Sequence, residues 1–166
     1  MTAKTMTGRN IDELFDRQDI LELLYRYCSA ADRNEPPGML EAFVDDCIVS
    51  YDPGGEPMRG KQALSDMLHA FLGAVISGSH YIANPVFEFL GGDEALLGCY
   101  MYSWQRFTGH PDIDDVHRYG RYEIRFLRTE AGWRITHLRL LSAGEFGGDR
   151  IAEQMGRKCT PIMDLV

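Results

Sequence analysis

His80 and Asn84 open the stretch GSHYIANPVFEF (78–89), which otherwise reads as an apolar strand. Strand side chains alternate, so His80, Ile82 and Asn84 share one face and Tyr81 and Ala83 the other. If the first face lines a cavity, His80 is an imidazole in a shielded place, where a general base is usually housed. Asn84 could then orient a substrate carbonyl, or equally satisfy a buried backbone group. If that face meets solvent, the pair means little.

Other chemistry has thinner support. Cysteines at 28, 47, 99 and 159 form no CxxC and have no histidine at ligand spacing, so they are expected reduced and mostly buried. His110, Asp112, Asp114, Asp115 and His117 could in principle hold a cation, but hairpin loops are often acidic simply because they are solvated. No metal and no cofactor is expected.

The elements that must carry His80 follow from periodicity. Between residues 10 and 32, Ile11, Leu14, Phe15, Leu21, Leu24, Tyr25, Cys28 and Ala31 form a helical stripe with Asn10 as N-cap. Gln18 interrupts it, so a second helix could start at Asp19. Pro36, Pro37 and Gly38 break the pattern and MLEAFVDD makes a short second helix. CIVSYD is a brief strand, and GKQALSDMLHAFLGAV returns to helical spacing. Four strands follow at 79–90, 94–107, 116–128 and 132–143, with tight turns GGDE and TEAG between two of the pairs. Helices followed by meandering antiparallel strands are an α+β arrangement, in which the helices cover one face of a curved sheet and leave a pocket. Trp133 is expected to close the last hairpin.

A 166-residue chain with 45% apolar residues fits one domain with a real core. Residues 1–9 read as a flexible N-terminus, 10–143 as the domain and 144–166 as a tail, loose or packed on a neighbouring subunit. A formal charge of -8 opposes nucleic acid or an anionic membrane as partner. With no signal-peptide pattern and no apolar run near the roughly 18 residues that span a bilayer, a cytoplasmic protein is expected.

DILELLYRYCSAADRN (19–34), FVDDCIVSYD, the Gly60-Lys61 helix start, SHYIANPVFEF and RYEIRFLRTEAGWRI together resemble the cone-shaped nuclear-transport-factor-2-like fold, in particular its SnoaL-like branch. That branch includes scytalone dehydratase, hexachlorocyclohexane dehydrochlorinase and bile-acid dehydratase. The resemblance implies an Asp and His dyad, with Asp32 at the end of the first long helix and His80 at the start of the first long strand. It also implies a functional Tyr27 and a pocket tyrosine at Tyr51. Tyr25, seven before Asp32 and on its helix face, is expected as a core tyrosine. Trp104 and His117 fall where the family places variable pocket walls. Eliminating relatives carry a further polar group on the strand of Trp104, where Ser103, Gln105 or Arg106 could serve.

The function so implied is a cofactor-independent lyase, of dehydratase type, or an isomerase acting on a small apolar carbonyl compound, in a homo-oligomer of two or three chains. The alternative implied by the same fold is a non-catalytic subunit, like the small subunit of ring-hydroxylating dioxygenases, or a ligand-binding protein without turnover.

Overall fold

The computed structural model describes residues 11–51, 55–107 and 115–146. One helix, α1 (Ile11–Asp32), runs unbroken through Gln18. Its buried residues Ile20, Leu23, Leu24, Tyr27, Cys28, Ala30 and Ala31 recur every three or four positions, the stripe of a helix packed on one face. Ile11, Leu14 and Phe15 have the right spacing but are exposed. Tyr25 is 52% exposed and Tyr27 only 3%, so the core tyrosine of this helix is Tyr27, contrary to expectation.

The second helix lies earlier than its periodicity suggested. α2 spans Pro36–Leu40 with the prolines at its first positions, and Phe43 already belongs to a strand. Proline has no amide hydrogen to donate and its φ is preset for a helix, so at a helix start it initiates rather than breaks. Strands β1 (Phe43–Ser50) and β2 (Met58–Arg59) precede α3 (Lys61–Leu72), which buries Leu64, Leu68 and Leu72 at helical spacing.

Four long strands follow: β3 (Val75–Gly91), β4 (Glu94–Phe107), β5 (Val116–Thr129) and β6 (Gly132–Phe146). With β1 and β2 they form one curved, unclosed sheet of six strands, in the order β2-β1-β6-β5-β4-β3. It is mixed rather than wholly antiparallel, since β1 runs parallel to β6. Gly91 and Gly92 make the first hairpin turn at φ +92° and +62°, backbone that glycine adopts without a Cβ clash. β6 continues to Phe146, past the expected boundary at 143; the expected N-terminus, the rest of the tail, Cys159 and the 108–114 loop lie outside the described residues.

Alternation tells the two faces of the sheet apart. On β4, Ala95, Leu97, Cys99, Met101, Ser103 and Gln105 are buried; on β5, Val116, Gly120, Tyr122, Ile124 and Phe126 are. These line the concave face, under α1. Trp133 on β6 is buried, donates Nε1–H to Asp16 of α1 at 3.2 Å and packs under the Arg128 guanidinium, 4.4 Å from the ring centroid. Arg128 in turn reaches Asp16 Oδ2 at 2.6 Å, so the last hairpin is tied to α1 at the end remote from Asp32. The described cysteines Cys28, Cys47 and Cys99 are unpaired and buried.

Candidate active site

Asp32 is the last residue of α1, and β3 is one edge strand of the sheet. The carboxylate spans the gap between them. Its Oδ1 accepts the Nδ1–H of His80 at 2.6 Å and its Oδ2 accepts the His80 backbone N–H at 3.2 Å. A carboxylate can only accept, so the contact places the ring proton on Nδ1 and leaves Nε2 with its lone pair in the neutral ring. The side chains are 12% exposed for His80 and 29% for Asp32, so the dyad is shielded without being sealed.

His80 stands directly opposite Ser103 on β4, Ser103 opposite Arg118 on β5, and Arg118 opposite Glu145 on β6. Paired residues of antiparallel strands point to the same face. One row across four strands therefore carries an imidazole, a hydroxyl, a guanidinium and a carboxylate on the concave face. Ser103 is 4% exposed, and Gln105 in the next row is 7% exposed. Arg106, out of phase with both, faces the other way and pairs with Asp115 at 2.8 Å.

A cluster of protonated acids lies deeper in the core. The hydroxyls of Tyr27 and Tyr51 are hydrogen-bonded to each other, and the Tyr27 ring meets Phe43 edge to face at 5.8 Å. Burial, with Tyr51 and Tyr122 nearby, pushes the Tyr27 phenol well up; burial pushes Tyr51 up as well, the bond from Tyr27 opposing. Tyr122 is raised by burial and its Tyr51 and Cys28 neighbours, while Arg118 pulls it down. The Cys28 thiol is pushed up to about 12, mainly by burial, with Asp32 and the Cys99 thiol nearby adding to the rise. These groups stay neutral at neutral pH, as hydrogen-bond donors rather than charges.

Three expected wall residues lie elsewhere. Trp104 and His117 oppose each other on the convex face; His117 Nδ1 meets the Tyr102 hydroxyl at 2.8 Å and the Arg106 guanidinium stands over Trp104. Asn84 is exposed, at φ +53°, within a bulge where two residues, Asn84 and Pro85, oppose Cys99. The extra residue breaks the period of two, so Asn84 does not share the face of His80 and Phe87 and Phe89 turn inward instead. An edge strand tolerates Pro85 there because its missing N–H removes no ladder bond.

Arg118 and Glu145 were not foreseen. Arg118 was legible, since it alternates with the buried Val116, Gly120 and Tyr122. Glu145 was not, because a bulge opposite Tyr119 on β6 sets its face. Among the described residues no group of three or more His, Cys, Asp or Glu is placed to hold a metal ion. A shallow apolar crevice between α1 and β3, with Leu21, Tyr25, Ile82 and Pro85 in its walls, includes neither member of the dyad. No described helix is long and apolar enough to cross a membrane.

Comparison with known proteins places this arrangement in context. No curated protein matches the sequence. A scytalone dehydratase-like protein of Novosphingobium aromaticivorans superposes with a TM-score of 0.76 at 23% identity, covering 81% of this chain and 89% of the other. The hexachlorocyclohexane dehydrochlorinase LinA-type3 of Novosphingobium barchaimii LL02 superposes at 0.71 and 15% identity, over 82% and 92%. A protein of unknown function from Mycobacterium tuberculosis does so at 0.68 and 22%, over 83% and 78%. At these identities the likeness is one of fold. A family model matches residues 12–139, most of the chain and all of the elements from α1 into β6, and on that match the protein belongs to the SnoaL-like domain family.

Proposed function

We propose that the protein is a cytoplasmic, cofactor-independent lyase or isomerase for a small, largely apolar carbonyl compound, with His80 as general base. The observation that carries this reading is the 2.6 Å contact of His80 Nδ1 with Asp32 Oδ1. With Nδ1–H held by the carboxylate, Nε2 takes the proton from a carbon next to the substrate carbonyl. The C–H electron pair moves onto the carbonyl oxygen, and Asp32 stands beside the imidazolium so formed. Return of the enolate electron pair expels a hydroxyl from the neighbouring carbon, which takes the proton from the His80 imidazolium and leaves as water, completing an elimination; return of that proton to another carbon completes an isomerisation. Both a dehydratase-like protein and a dehydrochlorinase are among the structural neighbours, and the two names denote eliminations.

The test is a panel of β-hydroxy carbonyl compounds, followed by the absorbance of the conjugated product. His80→Ala and Asp32→Asn should each lower turnover by roughly 10²-fold or more with an unchanged circular dichroism spectrum. Full activity in both variants would end the general-base reading and favour the non-catalytic alternative. We also propose a homo-oligomer built through the convex face, where Tyr81, Tyr100, Tyr119 and Phe146 are each more than half exposed.

A further inference from the structure

The dyad supplies a base but nothing that receives negative charge. In the same cross-strand row, Arg118 Nε and Nη2 both lie 2.7 Å from Glu145 Oε2. That contact uses one edge of the guanidinium and one carboxylate oxygen, so the Nη1 edge is not engaged by Glu145. The Arg118 and Glu145 side chains are 29% and 21% exposed, about as open as the dyad, and Ser103 stands between them and His80.

Glu145 owes its place to a local irregularity. Inward-facing residues of β6 are Leu138, Leu140 and Ser142, and strict alternation would bring Gly144 inward next. A bulge intervenes: Gly120 pairs with Ser142 but Tyr119 with Gly144, one extra residue on β6, so Glu145 meets Arg118. Bulges recur where a strand must re-aim a side chain. Here the result is an ion pair at the level of the dyad, two strands away, or about 10 Å between backbones.

We propose that Arg118 and Ser103 are the substrate-oxygen-binding half of the site, with Glu145 a positioning residue that holds the guanidinium in the row of His80 on the concave face and balances its charge. The inference rests on the general-base reading for its place in catalysis. When His80 Nε2 takes the carbon-bound proton, the released electron pair comes to rest on the carbonyl oxygen, and Arg118 Nη1–H and Ser103 Oγ–H donate to it. Charge sets the substrate class. Glu145 balances the Arg118 charge and Asp32 is held by His80, so the oxygen-binding pair carries no net charge of its own, which suits an uncharged ketone or aldehyde whose oxygen becomes anionic during reaction.

The probe is 4-nitrophenol at the pH where the free dye is half ionised, its bound fraction of phenolate read from absorbance. On the wild-type protein the phenolate-to-phenol ratio should exceed that in water by about tenfold or more. Arg118→Met should abolish the excess, Arg118→Lys should keep part of it, and Glu145→Gln should increase it, since a competing negative charge has gone. A merely structural pin between β5 and β6 would make Arg118→Met and Glu145→Gln shift binding alike, or not at all, and either result overturns the proposal. So does a wild-type protein with no phenolate preference. His80→Ala should keep the dye preference while losing turnover, so failure of the general-base reading shows in activity and failure of this inference shows in the dye.

Discussion

Asp32 holds His80 twice, through the ring at 2.6 Å and through the backbone amide at 3.2 Å. A carboxylate at the C-terminal end of a helix sits against the negative end of the helix dipole. Two bonds to one residue of the sheet edge compensate for that position and fix both the strand and the imidazole on it.

Replacing Asp32 with Asn should therefore disturb the tautomer as well as any reaction. ¹⁵N NMR of the wild-type protein should show His80 protonated at Nδ1 when neutral, and Asp32→Asn should lose that preference. Asp32→Ala, which deletes both acceptors, should cost about 1–3 kcal/mol in denaturant unfolding. An unchanged tautomer in both variants would mean that the carboxylate does not orient the ring.

The Tyr27 and Tyr51 hydroxyls partner each other in a site shielded from water. Tyr27→Phe should cost about 1–3 kcal/mol by leaving the Tyr51 hydroxyl without its partner, and Tyr51→Phe the converse. The double variant should cost clearly less than the sum of the two, as a double-mutant cycle measures. Strict additivity would contradict the pairing.

Stability should fall on the alkaline side early. Burial first of all raises Cys28 from 9.0 to about 12 and Cys99 from 9.0 to about 11. From about pH 9 the unfolded chain releases these protons while the folded chain keeps them, so the unfolded state binds fewer and stability drops with rising pH. The contribution is complete below pH 9 and is lost by about pH 12, at a slope near ~1.4 kcal/mol per pH unit for each such group. Cys28→Ala should flatten the limb in a series of melting curves; a melting temperature constant from about pH 8 to 11 would refute it. Asp16 works in the opposite sense. Burial raises its carboxyl, but bonds from Arg128 and Trp133 outweigh that and hold it low, so its contribution is present above 3.8 and lost as pH falls further.

If the convex face joins copies, charge placed there should separate them. Tyr81→Glu and Tyr119→Glu together should convert an oligomer to a monomer in sedimentation, with the fold intact. A wild-type monomer at high concentration would remove the proposal.

Much of this was legible in the residues themselves. Apolar spacing marked α1, α3 and the four long strands, because helix and strand periods are local properties of the backbone. Asp32 and His80 could be named through the family resemblance, and Arg118 could have been, since β5 alternates without interruption on that side. Pro36 and Pro37 misled only because proline both ends and begins helices, and which it does depends on the chain after it.

Which residues share a face at the far ends of β3 and β6 was decided by the tertiary structure alone. Alternation carries forward along a strand only until a bulge inserts one residue, and bulges arise from pairing with a neighbouring strand distant in sequence. One at Asn84 took that side chain off the His80 face, and one opposite Tyr119 turned Glu145 inward to Arg118. The sequence pointed to Asp32 and His80; the sheet register set the row in which His80 stands.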